Sequence, residues 1–298
     1  MNESNDIPLI DAIDHDILMH RDAHFGGQFS IMLDYYRRHG KGVNPEFSLS
    51  RIEDLAAFEL NTHQNLAAIC LEAAEIEKVA EARQAYKDLS GIYEVKNAKS
   101  IIPQLVADLI LTEEAEAEGE VAALAIHKEA AVPALINLLR EEKWHDPLFP
   151  GYGLVPELAA KCLGLIGDKR AIISLFEAIG QGDFFDDEEI LRALKQIGAP
   201  AKAFLLKVVK GKPYNEDNER AAIALVAFRD DADVGAACVP LLKDQQVQQD
   251  PVLFSYLVLA CEGMKERSLQ AEFTELAEKA SLPRDLREDM QRIIKSWL

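Results

Sequence analysis

The feature that most constrains this chain is a helical pair that returns at a nearly constant step. The run VPELAAKCLGLIGDKRAIISLFEAIG, residues 155–180, places Leu158, Cys162, Leu165 and Ile166 at helical spacing. A tight Gly167-Asp168 turn follows, and a second helix carries Ile172, Leu175, Phe176 and Ile179. Neither helix can bury its apolar stripe alone, so the pair requires neighbours of its own kind. The chain supplies them. First helices are expected to start near Glu157, Glu188, Glu219, Pro251 and Pro283, a step of about 31 or 32 residues each time. Leu163, Leu194 and Leu225 fall in register, as do Ile166, Ile197 and Phe228, and Gly167 matches Gly198 where a helix should close on a left-handed residue.

An earlier pair of second helices shows the same design. SIIPQLVADLIL and AAVPALINLLR carry Pro103 and Pro133 in their first turns, where a missing N–H costs nothing. Residues 1–96 are helical but less regular. Helices are expected over Ile7 to Met19, Phe29 to Arg38 and RIEDLAAFEL. A longer one is expected from Gln64 toward Tyr93, with Leu66, Ile69, Cys70, Ala73 and Ile76 on its apolar side. No stretch alternates in the manner of a strand. The expected organisation is an N-terminal helical cap over 1–96 and a repeat array over 97–298, closed by a last helix, RDLREDMQRIIKSWL.

The turns of the ALxxIGD type, followed by AIxxLxxAI and VPALINLL, resemble HEAT repeats, and within them the short bacterial type first noted in phycobilin lyases. The resemblance runs over about 97 to 282. It implies an all-α, right-handed α-α superhelix of the HEAT-like or armadillo type and says little about function. Deoxyhypusine hydroxylases of this repeat type hold two irons on His-Glu pairs at helix starts. This chain has no His-Glu dipeptide, and its helix starts read PELAAK, EEILRA and NERAAI, so that activity is set aside. A role like that of the bilin lyases rests on the repeat alone.

Charge limits the partners. The chain carries 51 acids against 32 bases, a formal net charge of -19. Such a field repels a phosphate backbone and an anionic membrane surface, so neither nucleic acid nor membrane is expected as a partner. The polar, acidic start MNESNDIPLI is no secretory signal, and no apolar run reaches the ~18 residues of a bilayer span. Cys70, Cys162, Cys238 and Cys261 sit inside apolar helical patterns without a C-x-x-C, which suits a reducing, cytoplasmic location.

Two places compete for function. The first is the loop edge of the repeats. It offers Trp144, Phe149 and Tyr152, then Phe184, Phe185, Asp186 and Asp187, then Tyr214, Glu216 and Asp217. Carboxylates at helix starts are favoured by the macrodipole, by about 0.3–1 kcal/mol each. The aromatics are not so explained, and an acidic edge with aromatic anchors suits a basic or amphipathic protein segment. The insertion EEKWHDPLFPGYGLVP, residues 141–156, lies on that edge and is kept non-helical by its prolines and glycines. On this view the chain is a non-enzymatic scaffold or adaptor with no cofactor.

The second place is HDILMHRDAH, where Asp16, His20 and His24 recur at i, i+4 and i+8 on one helical face, followed by Gly26-Gly27. That spacing suits a metal- or small-ligand-binding protein, an enzyme included. No Gly-rich phosphate loop and no nucleophile elbow accompanies either place.

Overall fold

The computed structural model describes residues 10–40, 43–95, 99–112, 117–181, 186–278 and 282–297, with Asp186 described by its backbone alone. The protein is all-α: among the described residues every regular element is a helix or a short 3-10 turn. The chain forms two compact units, Met1–Leu124 with Glu141–Leu158, and Ala125–Arg140 with Ala159–Leu298. The insertion after residue 140 therefore belongs with the N-terminal unit, and the division does not fall at residue 97.

The N-terminal unit holds α1 (Ala12–His24), α2 (Phe29–Arg37), α3 (Leu49–Thr62), α4 (Leu66–Cys70), α5 (Ala73–Glu94), α6 (Ile102–Leu111) and most of α7 (Glu118–Ile126). Helix α1 begins later than Ile7 because Asp11 caps it. The Asp11 carboxylate accepts from the Asp14 N–H, and Asp14 accepts in return from the Asp11 N–H, both at 3.0 Å. Residues 7–9 lie outside the described residues.

The long helix expected from Gln64 is two helices. Leu71 and Glu72 are extended, and Glu72 forms a capping box with Glu75 that restarts the chain as α5. The restart changes the phase of the apolar stripe. Ile69 and Ile76 are exposed, and Val79, Ala82, Ala85 and Leu89 become the core side instead.

Helix α1 packs on α4 and α5, and α2 packs on α3. Ile17 and Leu18 enter one cluster with Phe25, Phe29, Met32, Tyr36, Phe47, Ile52, Leu55 and Leu66. Met19 and Ala23 enter another with Val79, Ala82, Ala85, Leu148 and Phe149. Each fully buried large aliphatic stabilises by about 1.5–3 kcal/mol. Because α1 is covered on two sides, three of its polar residues, Asp14, His20 and Arg21, lie below 5% exposure, while Asp16 stays exposed.

Arg21 has no exposed surface. Its guanidinium donates to Glu59 Oε1 at 2.7 Å, to Asp22 Oδ1 at 2.8 Å and to Asn65 Oδ1 at 3.4 Å, and it stands 4.5 Å from the Phe29 ring centroid. Glu59 also accepts the Leu66 N–H at 2.6 Å. The network thus ties α1 to α3 and to the start of α4.

The C-terminal unit holds α8 (Val132–Arg140), most of α9 (Val155–Ile166), α10 (Ile172–Ala178), α11 (Asp186–Ile197), α12 (Ala199–Val209), α13 (Glu216–Leu225), α14 (Ala232–Leu242), α15 (Gln245–Gln248), α16 (Pro251–Leu259), α17 (Arg267–Ala277) and α18 (Arg284–Ser296). Helix starts at Val155, Asp186, Glu216, Pro251 and Arg284 lie within three residues of the expected ones. Leu163, Leu194 and Leu225 are all buried in register, and Gly167 and Gly198 both have positive φ. Leu165, expected on the apolar stripe, is exposed: the core side of α9 is Leu158, Ala159, Cys162 and Leu163.

Within this unit helices pack on helices one to three positions along the chain: α10 on α8 and α11, α11 on α12, α12 on α13, α13 on α16, and α14 on α16 and α17. Buried Asn218 donates to the carbonyls of Val208, Val209 and Gly211, satisfying the open end of α12. Helix α18 packs on α16 and α17 through Met290 and Ile293, and Trp297 donates to the Glu262 carbonyl at 2.7 Å. Cys162, Cys238 and Cys261 are buried thiols.

Removing Arg21 leaves Glu59 without its buried partner, which costs about 3–5 kcal/mol. Urea unfolding of Arg21→Ala should show that loss in the transition reported by the N-terminal unit. A loss under 1 kcal/mol, on the scale of an exposed ion pair, would contradict the assigned role.

Candidate functional site

The N-terminal unit contains a cavity of about 820 Å³. Its wall comes from four sources. Helix α1 contributes Asp16, Met19 and His20; the α2–α3 connection contributes Val43 to Phe47; α5 contributes Lys78; the insertion contributes Glu142, His145, Asp146, Leu148, Tyr152 and Leu154. The insertion is a packed element. Trp144 and Phe149 are 6% and 5% exposed, Leu148 and Phe149 pack on Met19 and Val79, and Lys78 of α5 pairs with Asp146 at 2.5 Å.

At the inner wall stands the imidazole of His20, with His24 behind it. The His20 ring lies 4.4 Å from that of His24 and within 6.2 Å of Phe25, Tyr36, Phe47 and Tyr152, centroid to centroid. His24 Nδ1 is 3.0 Å from the Tyr86 hydroxyl. The Nε2 atoms of both histidines are buried without a hydrogen-bond partner among the described residues. Burial pushes His20 down to about 3, helped by the neighbouring His24, and pushes His24 down to about 4 against an opposing pull from the Leu148 backbone. Both rings are neutral at physiological pH. Asp16, at the cavity, is raised by burial and by the like charges of Glu46, Glu75 and Asp146, with Lys78 opposing.

The backbone at Tyr152 is strained to reach this place. Gly151, Tyr152 and Gly153 have φ of 88°, 51° and 82°. A side-chain residue in that region costs about 1–2 kcal/mol, and such strain clusters at functional sites. The ring so placed touches both His20 and His24, the latter at 4.9 Å.

Gly26 and Gly27 also have positive φ. They turn the chain out of α1; a Cβ on Gly26 would meet nothing and one on Gly27 only the Asp22 side chain, so no close backbone approach is made there.

Of the expected cluster, His20 and His24 do come together and Asp16 lines the same cavity as His20. Among the described residues no group of three His, Cys, Asp or Glu side chains has the geometry for a metal ion. The loop-edge residues scatter. Trp144 and Phe149 are buried core, and Tyr152 faces the histidines, so these three are not exposed anchors. Phe184, Phe185 and the Asp186 side chain lie outside the described residues. Asp187 accepts the Gly180 N–H at 2.9 Å. Tyr214 donates to Asp244 at 3.3 Å beneath Lys212, and Glu216 and Asp217 are exposed in the first turn of α13. The first three belong to the N-terminal unit and the last group to the C-terminal unit.

Sequence reasoning did not bring Phe47, Lys78, Tyr86 or Leu154 to this site. The available signal was the Gly-Tyr-Gly run in the insertion, a bulky residue between two that favour positive φ. No family model matches the chain, and no curated protein matches it. Among the described residues no helix is long and apolar enough to cross a membrane.

The depressed histidines set a pH dependence. The unfolded chain binds protons at these residues near pH 6.5 and the folded chain near 3 to 4. Their unfavourable effect is absent above pH 6.5 and grows as pH falls, by up to about 1.4 kcal/mol per pH unit for each ring. His20→Phe should therefore lose less stability than the parent between pH 6.5 and 4.5, measured by urea unfolding at each pH. Equal losses would contradict burial of a neutral His20.

Proposed function

We propose that this chain is a non-enzymatic binding protein of the HEAT-like helical-repeat kind, and that its N-terminal unit holds a small organic cation beside His20. The observation that carries the ligand reading is His20 itself. It is 4% exposed, uncharged and unpaired at Nε2, and it lines a cavity large enough for a small molecule. A buried polar group without a partner costs roughly 1–3 kcal/mol, and a ligand that reaches it recovers that cost.

The charge around the cavity supports a cation. Asp16, Glu46, Glu142 and Asp146 line it, with Lys78 as the single lysine or arginine among the described residues of its wall, and Lys78 is paired with Asp146. The rings of Phe47 and Tyr152 supply faces for a cation–π contact, and a neutral His20 protonated on Nδ1 accepts a hydrogen bond from an ammonium. The repeat reading is supported by the evenly stepped helix starts and by packing between helices one to three positions apart in the C-terminal unit.

An adaptor role has its own support in the C-terminal unit. Leu165, Ile173 and Val252 are large exposed aliphatics in a strongly acidic chain, a composition suited to contact with a basic amphipathic segment.

Titration with phenethylammonium and with its neutral alcohol counterpart, followed by calorimetry, tests the ligand reading. The cation should bind at least about tenfold more tightly, and the pair Asp16→Lys and Glu46→Lys should remove that preference. Equal affinity for the two compounds would refute the cation site.

A further inference from the structure

We propose that a second cavity in the N-terminal unit, of about 610 Å³, is a binding site for a planar aromatic anion, such as an aryl carboxylate. Its walls include His24, Phe25, Tyr35, Arg83, Tyr86, Lys87 and Tyr152. Its charge is the reverse of the first cavity. Arg83 and Lys87 project from successive turns of α5, and among the described residues no carboxylate lines it. In a chain of net charge -19 a cavity bordered by bases alone goes against the general field and marks a local preference.

Asp22 is the acid that approaches Arg83, at 4.0 Å. That carboxylate is held by the buried Arg21 at 2.7 Å, so it compensates Arg83 only weakly. Arg83 is in turn oriented by its Nε–H, which donates to the Asp22 carbonyl at 2.7 Å and leaves the far edge of the guanidinium for a ligand.

The walls select a flat ring. His24 stands edge-on to Tyr86 at 5.6 Å and tilted against Tyr152 at 4.9 Å, and Phe25 meets Tyr35 at 5.2 Å. Aromatic faces on several sides favour stacking over an aliphatic chain. When the Tyr86 hydroxyl donates to His24 Nδ1, the neutral ring carries its proton on Nε2, the atom with no partner among the described residues. That N–H is a neutral donor suited to one oxygen of a carboxylate, with the α5 bases holding the charge.

This site does not depend on the cation reading, because Arg83 and Lys87 do not line the first cavity. The test uses 2-naphthoate and its uncharged analogue 2-naphthamide on the full chain, followed by NMR of labelled histidine and tyrosine rings. Naphthoate should shift the His24 and Tyr86 signals saturably and bind at least about tenfold more tightly than the amide. Arg83→Gln with Lys87→Gln, both at exposed positions, should weaken naphthoate about tenfold or more while leaving the thermal midpoint and phenethylammonium binding unchanged. Equal binding of acid and amide, an unaffected double variant, or shifts confined to His20 and His145 would each overturn the proposal.

Discussion

Burying a helix on both sides forces every polar group on it to find a partner in the fold. Helix α1 is such a helix, and it meets that demand almost completely. Asp14, 1% exposed, receives two bonds from Arg51, at 2.7 and 2.5 Å, and although burial alone would raise it, Arg51 and the Asp11 N–H hold it below the usual carboxylate range. Arg21 is enclosed by Glu59, Asp22, Asn65 and the Phe29 ring. Ion pairs of this depth cost desolvation and return it only through good geometry, so they fix the position of α1 more than they add stability. His20 lies next in sequence to Arg21, on the same buried turn, and its Nε2 has no such partner. That contrast on one helix is what separates a structural polar residue from one that awaits a ligand.

The insertion completes the same logic. A segment held only by loop entropy would not bury a tryptophan, a leucine and a phenylalanine, nor hold a tyrosine at positive φ. Its apolar residues anchor on α1 and α5, the Lys78–Asp146 pair fastens its rim, and the strained Tyr152 ring is thereby pressed against the two histidines. Two cavities of opposite charge share this tyrosine.

The helix starts and register positions of the C-terminal unit were legible in the sequence because they are carried by local signals. Leu163, Leu194 and Leu225 recur at one register, and Gly167 and Gly198 close helices on left-handed residues. The phase of single helices was less legible. Leu165 and Ile76 satisfy a helical period yet are exposed, because a period allows more than one face and neighbours decide which is covered. His20 and His24 were legible as a pair on one face. Their burial was not, since it depends on Phe47 and Tyr152, distant in sequence and joined to α1 only by tertiary packing. Trp144 and Phe149 were misjudged for the same reason: aromatics in a proline- and glycine-rich segment have the composition of a surface loop, and here they are core.

The protonation state of His20 tests the central claim most directly. Nitrogen-15 chemical shifts of the labelled imidazoles, followed from pH 8 to pH 4, report charge and tautomer for each ring. The account predicts that the His20 ring stays neutral across that range, and that its Nε2 signal moves when phenethylammonium is added at neutral pH. A His20 that titrates near pH 6.5, the value of a solvated imidazole, would contradict burial of a neutral ring and with it the assignment of this cavity as a binding site.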